Sequence, residues 1–267
     1  MSKLFFLGAG KMATAIAGGL VRAGTFQAEE LLAFDVNPKA AEAFQAATGV
    51  RCVTAGCEAA AAEAETVLLA VKPQMLADAV APLRSETDSR LFLSIAAGVP
   101  IARLTELIGT ERIVRIMPNT PMLVGRGAAG FAAGPKATGE DIALAERILA
   151  SVGIAFRVDE KYMDAVTALS GSGPAYVFEF IQALADGGVS EGLPRDMATQ
   201  LAAQTVLGAA EMVLRTGTHP TVLKDQVTSP AGTTARALEV MYRNGFAATV
   251  IDAMHACARR SEELGGK

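Results

Sequence analysis

At 267 residues the chain is long enough for one large domain or two of medium size, and 51% hydrophobic against 19% charged residues allows a substantial core. A formal charge of −4 supplies no basic face for nucleic acid, and no run of about 18 apolar residues passes without a polar break, so neither a nucleic-acid partner nor a membrane span is expected. Three cysteines (Cys52, Cys57, Cys257) without metal spacing, and two isolated histidines (His219, His255), point away from a metal site and toward a reducing cytoplasm. The opening Met1-Ser-Lys runs straight into a strand, which is not the pattern of a signal peptide. Aromatic residues are 5% with no Trp, so the interior must be built from Ala, Val, Leu, Ile and Met.

Lys3 to Leu7 reads as a short buried strand, followed directly by Gly8-Ala-Gly-Lys-Met-Ala13 and a helix that stops near Gly24. Strand, glycine turn and helix in that order form a dinucleotide fingerprint. Gly8 allows the tight turn, Gly10 lets backbone approach a pyrophosphate, and Ala13 keeps helix and strand close. The second strand, Leu31 to Phe34, ends at Asp35. An acid about 20 residues past the glycines can accept from an adenosine ribose 2′-OH; a turn-forming Asp before Val-Asn-Pro is the alternative. Asn37 could equally donate to a 2′-phosphate, so the turn leaves NADH and NADPH open.

The alternation continues through a helix at Ala40 to Ala47, a strand at Arg51 to Thr54 and a helix at Glu58 to Glu65. Three apolar strands follow: Thr66 to Val71 ending in Lys72-Pro73, Leu91 to Ile95 ending in Ala96-Ala97-Gly98, and Arg112 to Ile116 ending in Met117-Pro-Asn-Thr-Pro121. Buried parallel strands separated by helices predict a doubly wound, Rossmann-like sheet whose ligand lies beyond the carboxyl ends of the strands. Lys72 there could donate to ribose or phosphate, or stand as a solvated lysine. Gly127 to Ala132 and Ile154 to Val158 flank a helix at Glu140 to Leu149, and the domain boundary is placed near Asp159, giving domains 1–158 and 159–267.

From Glu160 onward only helices are expected: Tyr162 to Leu169, interrupted by Ser170-Gly-Ser-Gly-Pro174, then Ala175 to Gly187, Pro194 to Arg215, Thr233 to Arg243 and Phe246 to Leu264. Tyr176, Val177, Phe180, Ile181 and Leu184 share one face of the Ala175 helix, and Phe178 lies off it. A helix apolar on nearly all sides must be covered, which predicts a homodimer through these helices. In Asp225-Gln-Val-Thr-Ser-Pro-Ala-Gly-Thr-Thr-Ala-Arg-Ala-Leu238, Pro230 ends one element and the threonines open the next helix. Such a start can seat an anion; the competing reading is that a threonine simply caps the helix.

These residues resemble the pyrroline-5-carboxylate reductase family over essentially the whole chain. The markers are Gly8 to Ala13, Ala70-Val-Lys-Pro73, Ala96 to Gly98, Met117 to Pro121, Leu169-Ser-Gly-Ser-Gly-Pro-Ala-Tyr176 and the highly specific Leu223-Lys-Asp-Gln-Val-Thr-Ser-Pro-Ala-Gly-Thr-Thr234. The resemblance implies an α/β dinucleotide-binding domain followed by an all-α domain that makes intertwined dimers, some assembling into decamers. It implies reduction of the cyclic imine 1-pyrroline-5-carboxylate to L-proline, the last step of proline synthesis, by NADPH or NADH in the cytoplasm. Leu7, Gly8, Ala9, Gly10, Lys11, Met12, Asp35, Asn37, Ala70, Val71, Lys72, Pro73, Ala96 and Ala97 fall at the cofactor positions. Glu160, Gln226, Thr233 and Thr234 fall at the substrate pocket, with the Thr234 hydroxyl as the candidate donor to the imine nitrogen. The chain departs from the family pattern at Gln226, where Asn is frequent, at Ala231, where many members carry Gly, and at Asp35, where small or polar residues are usual. Two other readings are a β-hydroxyacid dehydrogenase, for which Lys161 is the nearest lysine, and a non-catalytic NADPH-binding regulator.

Overall fold

The computed structural model describes residues 3–62, 64–86 and 89–266. Two compact units emerge, one running to Ser172 and including Cys257 to the C-terminus, the other spanning Gly173–Ala256.

The first unit is built on strands β1 (Leu4–Leu7), β2 (Leu31–Phe34), β3 (Arg51–Val53), β4 (Thr66–Leu69), β5 (Leu91–Ser94), β6 (Ile113–Met117), β7 (Gly127–Ala133) and β8 (Gly153–Arg157). They form a single sheet in the order β3-β2-β1-β4-β5-β6-β7-β8. Helices α1 (Lys11–Arg22), α2 (Pro38–Thr48), α3 (Cys57–Ala62), α4 (Leu76–Val80), α5 (Ile101–Ile108), α6 (Gly139–Ala150) and the short α7 (Met163–Val166) accompany it. All four residues of β1 are buried, and they alternate between two cores. Leu4 and Phe6 pack with Ile16, Leu20, Phe44, Ile148 and Leu149 from α1, α2 and α6. Phe5 and Leu7 pack with Leu76, Val80, Leu104 and Ile108 from α4 and α5. Side chains alternate across a strand, so a strand apolar at every position must be covered on both faces.

One strand departs from the expected parallel order: β7 runs antiparallel to β6, with Ile116 opposite Phe131. The connection over 118–126 holds only a 3-10 turn at Thr120–Val124, shorter than the dozen or so residues a parallel crossover needs. The chain must therefore turn straight back. β8 then pairs parallel to β7 after crossing through α6. At that crossover Arg112 makes a two-pronged bond to Asp141, Nε to Oδ2 at 2.9 Å and Nη2 to Oδ1 at 2.8 Å. Burial would raise the Asp141 carboxyl, but the Arg112 guanidinium and Thr138 hold it below the usual carboxylate range.

The segment expected to break at Ser170 does not leave the helix. α7 passes into a π-turn over Thr167–Gly171 and straight on into α8 (Gly173–Ser190). Ser172 N–H reaches back to Thr167 O at 2.8 Å, and a Cβ on Gly171 would sit 2.3 Å from Met117 Cε. The π-turn thus brings backbone against the Met117 side chain at the end of β6. α7 and this turn belong to the sheet unit, and the second compact unit begins at Gly173.

The second unit holds α8 followed by α9 (Arg195–Thr216), α10 (Pro220–Gln226), α11 (Thr233–Arg243) and α12 (Phe246–Leu264). Its buried centre is small: Ala185, Ala198 and Ala202, with Gly188 so close that a Cβ would lie 3.2 Å from that of Ala198. Large apolar residues remain exposed instead, including Phe178 at 64%, Leu201 at 53%, Leu207 at 54% and Leu214 at 75%. That is a helical surface lacking its cover within one chain. The last turns of α12 belong with the sheet unit, where Ser261 Oγ donates to Asp164 Oδ1 at 2.8 Å.

Candidate active site

β2, β1, β4 and β5 are adjacent and parallel, so their carboxyl ends line one edge of the sheet. Topology thereby brings Leu7 to Met12, Asp35, Asn37, Ala70 to Pro73, Ala96 and Ala97 to a single edge. At its centre Gly8 has φ +104°, and a Cβ there would stand 2.8 Å from Ala70 O. Only glycine satisfies both demands. Gly10 is the N-cap of α1 and has no capping side chain; a Cβ on it would meet nothing within 4 Å. The first turn of α1 thus has no side-chain cap for its N–H groups and no acidic residue. This cradle fits the pyrophosphate of a dinucleotide.

Beside it, the Asp35 carboxylate accepts from Ala9 N–H at 2.8 Å through Oδ2 and from Asn37 N–H at 2.9 Å through Oδ1. Asn37 Oδ1 accepts from Lys39 N–H at 3.0 Å and caps α2. Lys72 stands exposed just before the 3-10 turn at Pro73–Met75. Ala96 is buried, with its N–H on Ser94 Oγ at 3.3 Å, while Ala97 is exposed. At Gly98, φ +73°, an added Cβ would lie 3.5 Å from Leu264 Cβ at the end of α12. That contact joins residues far apart in the chain and had no local signal.

Glu160 also lies in the first unit. Its Oε1 accepts from Ile101 N–H at 2.6 Å and from Arg115 Nη1 at 3.1 Å. Arg115 is the buried partner, 5% exposed against 35% for Glu160. Removing one partner strands the buried charge, so Glu160→Ala is expected to lower unfolding free energy by roughly 2 kcal/mol, discounted for the partial exposure of Glu160. Glu160→Gln, whose amide oxygen can still accept, should lose less. Urea denaturation of the two variants reads this. Wild-type stability in Glu160→Ala would mean that the contact to Arg115 carries nothing. Asn119, 8% exposed, was likewise hidden in the sequence motif; its Oδ1 accepts from Ala128 N–H at 2.9 Å and ties the β6–β7 turn.

Gln226, Thr233 and Thr234 lie in the second unit, Gln226 exposed at the end of α10. Ser229 to Gly232 form a turn closed by Gly232 N–H to Ser229 O at 3.0 Å. Pro230 takes the second position and Ala231 the third, where a type II turn requires positive φ. Among the described residues Ala231 is the non-glycine residue with such a backbone, at φ 56°. Gly232 is next, and a Cβ on it would strike Ser229 Oγ at 2.3 Å. Gly232 is also the N-cap of α11, with no side-chain cap and no acid in the first turn. Neither threonine caps the helix, so the capping alternative fails. The N–H groups of Thr233 and Thr234 are first-turn donors without helical acceptors. Left-handed backbone costs an L-residue about 1 kcal/mol. Ala231→Gly should thus raise stability by about 0.5–1 kcal/mol, measured by urea midpoint; a lower midpoint would show that the turn is unstrained.

Burial pushes the thiols of Cys52 and Cys57 up to about 11, so neither is a thiolate near neutral pH. Among the described residues no three His, Cys, Asp or Glu side chains converge as a metal site, and no helix is long and apolar enough to cross a membrane.

Residues 160–264 match the family described as pyrroline-5-carboxylate reductase dimerisation, and residues 3–98 match NADP oxidoreductase coenzyme F420-dependent. Pyrroline-5-carboxylate reductase of Arabidopsis thaliana is 46% identical over 264 residues, covering 98% of this chain and 95% of that protein. The chain belongs to the pyrroline-5-carboxylate reductase family. The structure of a pyrroline-5-carboxylate reductase from Coxiella burnetii agrees with a TM-score of 0.92 at 34% identity, covering 98% of each chain. That of Plasmodium falciparum pyrroline carboxylate reductase, with NADP bound, agrees at 0.89 and 35%, covering 99% of this chain and 98% of that one. The reductase-family dimerisation match takes in the exposed helices of the second unit and begins before Gly173, at the 3-10 turn of Glu160–Tyr162.

Proposed function

We propose that this reductase converts 1-pyrroline-5-carboxylate to L-proline with NADPH or NADH, and that it does so in the cytoplasm as a homodimer. The observation that carries the substrate reading is the uncapped start of α11, where backbone donors and two hydroxyls meet in a stretch with no competing acid. A substrate carboxylate would take the N–H groups of Thr233 and Thr234 and the positive end of the helix dipole. Gln226 would contact the ring from the end of α10, its extra methylene reaching further than the frequent Asn.

On the cofactor side, Leu7 to Met12 would hold the pyrophosphate, and Asp35 and Asn37 the adenosine ribose. Ala70 to Pro73, with Ala96 and Ala97, would line the path to the nicotinamide. When bound, the reduced nicotinamide supplies the hydride. The chain's own work is to orient the imine, shield it from water and satisfy its nitrogen. Thr234 would present its hydroxyl to that nitrogen as electron density arrives there, polarising it without acting as a strong acid. Glu160 would act mainly through Arg115 and the start of α5, keeping that edge in shape.

The β-hydroxyacid dehydrogenase reading needs a free lysine, but Lys161 lies 3.6 Å from Asp159 and over the Tyr162 ring. Three free cysteines suit a reducing compartment. Light scattering on the 27.6 kDa chain reads the assembly directly: two chains for the dimer, ten for a decamer built from it. The deciding assay follows NADPH or NADH oxidation with 1-pyrroline-5-carboxylate as substrate. Consumption of cofactor with formation of proline supports the reading, and cofactor binding without turnover would leave the non-catalytic regulator.

A further inference from the structure

We propose that Asp35 makes this enzyme select NADH over NADPH. The inference rests on the cofactor placement above. Asp35 follows β2 directly, and its own N–H is held by Val53 O at 3.1 Å, so its backbone is fixed at the end of the strand. Its carboxylate is fixed as well: one oxygen on Ala9 N–H at 2.8 Å, the other on Asn37 N–H at 2.9 Å. The group therefore bridges the glycine turn and the entry to α2, the position an adenosine ribose takes when its pyrophosphate lies on Gly8 to Met12. Each carboxylate oxygen retains a lone pair, and the two can accept from the ribose 2′-OH and 3′-OH.

A 2′-phosphate meets the opposite situation. It would bring negative charge against a carboxylate that two backbone bonds prevent from swinging aside. The negative charge of Asp35 is felt locally, since after burial it is the next cause of the raised Cys52 thiol. The donors a phosphate would use are also reduced. Asn37 N–H is consumed by Asp35, and Asn37 Oδ1 is turned to its own helix, leaving the side-chain NH2. Arg51 pairs with Leu32 at the beginning of β2, so its backbone lies at the far end of the strand from Asp35. Lys39, exposed in the first turn of α2, is the remaining cation of this turn. One exposed lysine against a pinned carboxylate favours the hydroxyl.

The test compares kcat/KM for NADH and NADPH at saturating 1-pyrroline-5-carboxylate, and the Kd of each cofactor by fluorescence titration without the imine, in the full-length enzyme and in Asp35→Ser. The wild-type enzyme should favour NADH by about 10-fold or more, and Asp35→Ser should move the ratio toward NADPH by about 10- to 100-fold, since the acid is the discriminating group. Asp35→Asn keeps size while removing charge, and should move the ratio the same way even if Asp35→Ser folds poorly. Wild-type preference for NADPH, or an unchanged ratio in Asp35→Asn, overturns the proposal while leaving the reductase reading intact. Failure of both cofactors to reduce the imine would remove the reductase reading and this proposal with it.

Discussion

Thr234→Ala is expected to lower kcat by about 10- to 100-fold, the low end of what a positioned proton donor contributes. The argument begins at Ala231, whose left-handed backbone turns the chain so that Gly232, and not a hydroxyl residue, occupies the N-cap of α11. Thr234 then falls within the first turn with its side chain unspent on capping. Its hydroxyl can serve the developing charge on the imine nitrogen, while its N–H serves the carboxylate. Alanine retains the N–H, so KM for the imine should change less than kcat. Serine retains the hydroxyl, so Thr234→Ser should recover most of the rate. Steady-state kinetics on the pair separate the two roles. Equal kcat in Thr234→Ala and wild type would remove the hydroxyl from the mechanism. A rise in KM alone would make Thr234 a binding residue and nothing more.

Gly8→Ala should weaken cofactor binding by about 100-fold or more and lower stability by roughly 2–4 kcal/mol. Two independent constraints meet at this residue. Its φ of +104° is one that L side chains rarely adopt, and the added Cβ would lie 2.8 Å from Ala70 O and 2.9 Å from Ala70 C. Neither obstacle is a flexible side chain: Ala70 backbone is bonded back to β1, its N–H on Leu7 O at 2.8 Å. Relief must come from moving the β1–α1 turn, and that turn carries the uncapped helix start. Fluorescence titration with the reduced cofactor and thermal unfolding report the two effects separately. Wild-type affinity in Gly8→Ala would mean that the turn is not the cofactor cradle.

The readable parts of the molecule were those where one local demand dictates residue type. Gly8 and Gly10 follow directly after an apolar strand, and β1 is apolar at every position because it is covered on both faces. The end of β2 was readable for the same reason, since Asp35 comes where the strand must stop. The all-helical second half was visible from its periodicity, and the apolar surplus on α8 correctly required a cover that one chain lacks.

What stayed hidden depended on partners distant in sequence or on competition between short-range effects. The reversal at β7 was masked because Gly127 to Ala133 carries no sign of strand direction; only the brevity of the preceding connection decides it. The run Ser170 to Gly173 has the composition of a loop, yet it stays helical through bonds such as Ser172 N–H to Thr167 O. The threonines of α11 resemble caps by residue type, but the turn through Pro230 and Ala231 moves the cap to Gly232. The α10 helix begins at Pro220 behind His219, whose Nδ1 accepts from Thr221 N–H at 3.3 Å, a less common cap than Ser or Asp. Nothing near Glu160 in the chain announces Arg115, and nothing near Gly98 announces Leu264.

The central claim is that one ring is held by its carboxylate at the start of α11 while hydride reaches it from a cofactor seated on the glycine turn. A crystal structure of the enzyme with oxidised cofactor and L-proline measures this directly. We expect the proline carboxylate within hydrogen-bond distance of Thr233 and Thr234 N–H, and the ring carbon beside nitrogen about 3.5 Å from the nicotinamide. Proline bound elsewhere, with residues 232–234 remote from every nicotinamide in the assembly, would contradict it.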